Sequence, residues 1–193
     1  QMVGREKELT VLQNSYRTTL EFSPQFIFIK GKSGYGKTKL LETFKEKIIA
    51  ENNIILSFKC SAAFQNIPYA PLFEMFKEYI QKNGTEKILN LLKDHVNHES
   101  FPFLQSLFPV LKTAFPVKQS LPVETSGLEN KKDLLKSINW FLNLAGTTER
   151  SLVFLIDDVQ WMDKESLDLF HYLSQSLAST KLLFIFVISE EYY

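Results

Sequence analysis

The chain predicts an α/β fold in which a parallel sheet is flanked by helices, and three observations carry that prediction. Four short, almost wholly apolar runs, Phe26–Ile29, Ile54–Phe58, Leu152–Ile156 and Leu182–Ile188, read as strands buried on both faces. Segments with apolar residues at helical spacing separate them, an alternation that lays helices over both sides of a sheet. Between the first run and the next helical segment stands Gly31-Lys32-Ser33-Gly34-Tyr35-Gly36-Lys37-Thr38, which meets G-x-x-x-x-G-K-[ST] at every required position.

Taken in order, Val3 to Leu20 predicts an amphipathic helix with Leu9, Leu12, Tyr16 and Leu20 near one face. Ser23-Pro24 ends it, because the residue before a proline is pushed out of the helical region. After the glycine-rich stretch, Leu41, Phe44 and Ile48 mark one face of a second helix, and Asn52-Asn53 mark the turn into the second strand. From Cys60 to about residue 148 no further strand pattern occurs. A mostly helical insertion, residues 60–148, is therefore expected between the second strand and the strand at Leu152–Ile156, within one domain spanning 1–193.

Inside that insertion Pro71 suits a first helical turn, followed by Leu72, Met75, Phe76 and Tyr79 at helical spacing. Thr85–Leu92 and Phe101–Leu111 read as further short helices, broken by Asn83-Gly84 and by Pro102, Pro109 and Pro116, and Glu129–Ala145 as another, carrying Leu134, Ile138, Phe141 and Ala145. Phe115 to Gly127 holds prolines and a glycine but little periodicity, and predicts a mobile loop. Asp163 is an expected N-cap for a helix carrying Leu167, Phe170, Leu173 and Leu177.

Composition narrows the function. Lys plus Arg and Asp plus Glu both number 22, so the net charge is zero and the basic footprint of a nucleic-acid binder is missing. A single cysteine excludes an internal disulfide framework and fits a reducing compartment; Cys60 is expected in the core. No run reaches the roughly 18 apolar residues of a membrane span, so a cytoplasmic protein without membrane contact is expected. The chain opens on Gln1 and ends directly after an apolar run, which is read as a piece of a longer polypeptide.

The glycine-rich stretch points to phosphate chemistry. Glycines let the main chain of residues 31–36 approach phosphate oxygens, and a helix N-terminus aims unpaired N–H groups at the anion. The Lys37 ammonium would reach the β- and γ-phosphates of a nucleoside triphosphate, and the Thr38 hydroxyl would complete the coordination of Mg²⁺. The second half of such a site is Asp157-Asp158 at the end of an apolar run, the Walker B pattern. Asp157 is expected to hold the metal, and Asp158 to act as general base on the attacking water. Elsewhere, His95 and His98 read as a solvated helix end rather than metal ligands. Trp161 reads as a helix-packing residue, and Lys131-Lys132 as a solvated face.

Val3-Gly4-Arg5-Glu6-Lys7-Glu8-Leu9, the phosphate loop, Pro68-Tyr69-Ala70-Pro71-Leu72 and Leu155-Ile156-Asp157-Asp158-Val159-Gln160-Trp161-Met162-Asp163 together resemble the AAA/STAND class of P-loop NTPase modules. The resemblance is to the origin-recognition-like ATPase domains of large signalling proteins, and it covers nearly the whole chain. It implies ATP as the nucleotide and a sheet in which a later strand inserts between the phosphate-loop strand and the Walker B strand. It also places Val3, Gly4 and Arg5 near the adenine, and makes Ser189 a polar sensor of the γ-phosphate. Family members often carry an arginine shortly after the last strand, and a helical lid beyond it. Here Ser189-Glu190-Glu191 follows instead, so slow turnover is expected. The function implied is an ATP-binding, slowly hydrolysing switch domain acting on downstream domains of the same polypeptide, with nucleotide-dependent self-association as a further expected contact. Two alternatives stand beside it: a non-catalytic module that holds ATP or ADP structurally, and a replication-initiator-like DNA-binding ATPase, which the zero net charge disfavours.

Overall fold

The computed structural model describes residues 4–49, 51, 53–107, 109–116, 127–147 and 151–190. Its elements run α1 (Glu6–Leu20), β1 (Gln25–Gly31), α2 (Lys37–Ile49), β2 (Ile54–Lys59), α3 (Ala70–Asn83), α4 (Thr85–Leu92), α5 (Phe101–Leu107), α6 (Pro109–Ala114), α7 (Gly127–Gly146), β3 (Leu152–Asp157), α8 (Lys164–Ser176) and β4 (Leu182–Ser189). The four strands form one parallel sheet in the order β1-β4-β3-β2. The last strand thus lies between the phosphate-loop strand and β3, as the resemblance implies.

Each sheet face has its own chemistry. One face is aliphatic: Val153, Leu155, Leu183, Ile185 and Val187 pack against Leu9, Leu12 and Tyr16 of α1 and Leu40, Leu41, Phe44 and Ile48 of α2. The other face is aromatic, because strand register sets phenylalanines side by side. Phe184 pairs with Phe26 and with Phe154, and the rings stack at 4.7 and 4.6 Å between centroids. Phe170 of α8 meets Phe186 edge-on at 5.2 Å, an edge-to-face geometry that ring quadrupoles favour. Helices between β2 and β3 complete the cover on this face, with Met75, Ile88, Phe101, Phe141 and Leu142 fully buried or nearly so. β3 and β4 are therefore shielded on both sides, which is why they read as uninterrupted apolar runs.

At the outer edge of β2, Glu78 of α3 accepts the Ser57 N–H at 2.9 Å and Lys82 donates to the Ile55 carbonyl at 3.3 Å. These two side chains satisfy backbone groups that would otherwise stand open on an edge strand.

Several expectations shift in detail. The helical stretch expected over Phe101–Leu111 is two helices, α5 and α6: of the expected breaks, Pro102 lies inside α5, while Pro109 opens α6, where its missing N–H is tolerated. Leu20 and Leu167 are exposed, while Thr19 and Leu169 take the buried positions. Leu167 stands two residues before Leu169 and is rotated off the sheet-facing stripe. β1 is less enclosed than a fully buried strand: Phe28 is 64% exposed. The mobile loop expected at Phe115–Gly127 lies almost wholly outside the described residues, and Gly127 already belongs to α7. Among the described residues no helix is long and apolar enough to cross a membrane.

Candidate nucleotide-binding site

β1 delivers Gly31 to the carboxyl edge of the sheet and α2 begins at Lys37, so residues 32–36 cross the gap as a loop. Gly34 and Gly36 hold φ of +78° and +75°, left-handed values that glycine adopts without penalty. A Cβ at either would meet nothing within 4 Å, so the space in front of the loop is open. The Lys37 ammonium folds back along it, donating to the carbonyls of Gly31 at 2.6 Å and Lys32 at 2.8 Å. At the apex the Tyr35 carbonyl accepts from Arg5 Nη2 at 2.6 Å, while Arg5 Nη1 pairs with Glu8 at 3.0 Å. Arg5 therefore fastens the start of α1 to the loop. Gly4 bonds through its N–H to Glu6 at 3.3 Å, and Val3 lies outside the described residues.

The opposite wall comes from β3. Asp157 ends the strand, and Asp158 adopts a left-handed backbone with φ +53°, which aspartate tolerates better than most residues. The Asp158 N–H donates to Asp157 Oδ1 at 2.9 Å. Both oxygens of Asp158 are engaged: Lys59 Nζ lies 3.2 Å from Oδ2, and Gln160 Nε2 donates to Oδ1 at 3.1 Å. The hydrogen bond to Asp158, followed by the charges of Asp158 and Asp157, holds the Lys59 ammonium above the usual lysine pKa. Ser189 ends β4, and its N–H donates to Gln160 Oε1 at 3.2 Å.

A cleft of about 480 Å³ brings together Ser33, Gly34, Gly36, Lys37 and Thr38 from the loop with Asp157, Asp158 and Ser189 from the strand ends. Gly31 and Lys32 enter through the carbonyls that hold Lys37, and Tyr35 through the carbonyl that holds Arg5. Gly4 and Arg5 are not part of the cleft wall. Sequence reasoning missed Lys39, Glu42 and Lys59, which also line it, and the bridge made by Gln160. Lys59 reaches the cleft through strand pairing, since register sets it beside Asp157.

This donor set fits a magnesium nucleotide. The cleft falls within the roughly 300–1,000 Å³ usual for ligand sites. Left-handed glycines, a lysine, a hydroxyl and a carboxylate offer N–H and ammonium groups to phosphate and hard oxygens to Mg²⁺.

Of the other residues singled out, His98 stacks flat on Trp140 at 4.1 Å and His95 meets the same ring edge-on at 5.9 Å, so both pack on α7 rather than standing in solvent. Lys131 is not simply solvated: it bonds Asp168 at 2.7 Å and ties α7 to α8. Trp161 packs against the core, and Cys60 is buried.

Comparison with known proteins agrees with this geometry. "Hybrid signal transduction histidine kinase G" of Dictyostelium discoideum is 24% identical over 188 residues, 91% of this chain and 5% of that protein. The chain thus spans a small fraction of the curated relative it matches. The family profile described as "AAA ATPase domain" matches residues 1–186, nearly the full length. With a phosphate loop, an acidic strand end and β4 between their strands, the chain belongs to the AAA ATPase domain family, whose members are nucleotide-binding ATPases.

Proposed function

We propose that this domain binds ATP with Mg²⁺, hydrolyses it slowly, and uses the bound state as a switch within a larger signalling protein. The observation that carries the reading is the convergence of Lys37 and Thr38 with Asp157 and Asp158 on one cleft. Magnesium, when bound, supplies a cation that neutralises charge on the phosphate oxygens. Thr38 and Asp157 are the residues to hold it. One Asp157 oxygen already accepts the Asp158 N–H, which leaves the other for the metal. Lys37 exchanges its two loop carbonyls for phosphate oxygens, and the loop N–H groups complete the cradle. Asp158 takes the proton of the attacking water. ATP rather than GTP follows from the resemblance.

Slow turnover has two supports. Lys59 holds one oxygen of the base in an ion pair at 3.2 Å. Ser189-Glu190 stands where an arginine would stabilise the transition state, a group worth about 10³–10⁵ in rate. The signalling role draws on the histidine kinase similarity, with downstream domains of the same polypeptide as partners.

Titration with fluorescent ATP and GTP analogues, with and without Mg²⁺, tests the binding. Magnesium-dependent ATP binding that Lys37→Ala weakens about 100-fold is expected, and equal affinity for GTP would overturn the adenine assignment. Single-turnover measurement tests the chemistry. Nucleotide recovered unhydrolysed after hours would favour a structural ATP or ADP holder, for which the ion pair of Asp158 with Lys59 is the specific argument.

A further inference from the structure

Gln160 lies in the 3₁₀ turn Val159–Trp161 between β3 and α8, and its side chain joins two parts of the cleft that are distant in sequence. Asp158 lies two residues before it, and Ser189, at the far end of β4, lies 29 residues after it. Nε2 donates to Asp158 Oδ1 at 3.1 Å, and Oε1 accepts the Ser189 N–H at 3.2 Å. Only this orientation of the amide satisfies both neighbours, because a carboxylate accepts and a peptide N–H donates. Glutamate would keep the acceptor and lose the donor. Leucine would lose both.

We infer that Gln160 is a positioning residue that couples the Ser189 end of β4 to Asp158, so that ligand contact at Ser189 and orientation of the base move as one unit. This rests on reading the cleft as a magnesium-ATP site with Asp158 as base. Lys59, which also holds Asp158, is poorly suited to such coupling, since its side chain is 72% exposed and an exposed ion pair sets geometry weakly. Ser189, by contrast, is 6% exposed, and its N–H finds its acceptor in Gln160. A left-handed backbone at Asp158 sets the direction of its side chain, and the Gln160 amide fixes where the carboxylate comes to rest. Were Gln160 a bystander that merely satisfied a strand-end N–H, its loss would lower stability and leave nucleotide discrimination alone.

The experiment measures, in the full chain, affinities for ADP and for a slowly hydrolysed ATP analogue with Mg²⁺, together with kcat and KM for ATP. Gln160→Ala is expected to lower kcat about tenfold with KM within about twofold, and to reduce the preference for the triphosphate at least about threefold at unchanged ADP affinity. Gln160→Glu retains the acceptor for Ser189 but sets a second carboxylate against Asp158. It is expected to lose kcat at least as far, and it serves as the second variant if truncation impairs folding. A triphosphate preference within about twofold of wild type in both variants overturns the coupling, whatever the rate. Wild type that fails to hydrolyse while Gln160→Ala still alters the preference overturns the hydrolytic reading and supports the coupling. Hydrolysis by wild type with both variants unchanged does the reverse.

Discussion

The carboxylate of Asp163 reaches back 94 positions to accept the backbone N–H of Tyr69 at 3.1 Å. The same group caps α8, accepting the Ser166 N–H at 2.8 Å and its hydroxyl at 2.6 Å, and it is 2% exposed. One buried acid therefore closes the N-termini of α3 and α8 together, and Tyr69 takes a left-handed backbone to present its N–H. Asp163→Ala strands three donors and should cost about 3 kcal/mol or more, beyond the loss of a cap alone. Asp163→Asn keeps an acceptor for the two N–H groups and should cost less than half of that. Urea unfolding of both variants checks the order; equal losses would mean that the charge, not the acceptor geometry, matters.

Lys37→Ala should weaken magnesium-ATP binding by about 100-fold, the equivalent of roughly 2–3 kcal/mol of charge-assisted bonding. The fold should survive, since the ammonium's present partners are two loop carbonyls with solvent access. Thr38→Ala and Asp157→Asn should instead remove the dependence on Mg²⁺. Calorimetric titration over a range of Mg²⁺ concentrations separates the two classes.

Stability should fall in alkali, and Cys60 is the main reason. Burial, aided by the negative charge of Asp163, raises its thiol from 9.0 to about 12. The unfolded chain releases this proton near pH 9.0 while the folded chain keeps it, so the folded state binds more protons in between. Its contribution is complete below pH 9.0 and is lost as the pH rises towards about 12. Tyr16, raised from 10.0 to about 12 chiefly by burial, adds a second loss that starts later. In denaturation curves at stepped pH, Cys60→Ala should abolish the decline between pH 9.0 and 10.0 and leave the part due to Tyr16.

Gly146 closes α7 where it meets the approach to β4. A Cβ there would lie 2.6 Å from Thr180 Cβ, and the Gly146 carbonyl accepts the Lys181 N–H at 2.8 Å. Gly146→Ala should cost about 1–3 kcal/mol through overpacking. Nucleotide affinity should stay at the wild-type level, because the cleft is at the other end of β4. Thermal melting paired with nucleotide titration decides it.

The parts legible in sequence are those whose physics is local. Strands β3 and β4 show themselves because burial on both faces forbids polar interruptions, and the phosphate loop is contiguous, so its spacing carries its meaning. Asp163 as a cap could be read from its neighbours; its reach to Tyr69 could not, because that bond exists only once α3 and α8 are packed. Lys59 and Gln160 escaped for the same reason: their partners are set by strand register and by the path of a turn. The position of β4 in the sheet came from resemblance, since apolar runs do not announce their neighbours.

That position also governs when the site comes into being. Among the described strands β1 pairs with β4 alone, so the strand bearing the phosphate loop has no sheet partner until residues 182–189 have left the ribosome. β2 and β3 can zip together earlier, and the helices between them can close over one side, but the loop and the acidic pair remain unconnected. A nascent chain of this domain is therefore blind to nucleotide through most of its synthesis. It gains its ligand only when β4, the latest of the four described strands in the sequence, has joined the sheet.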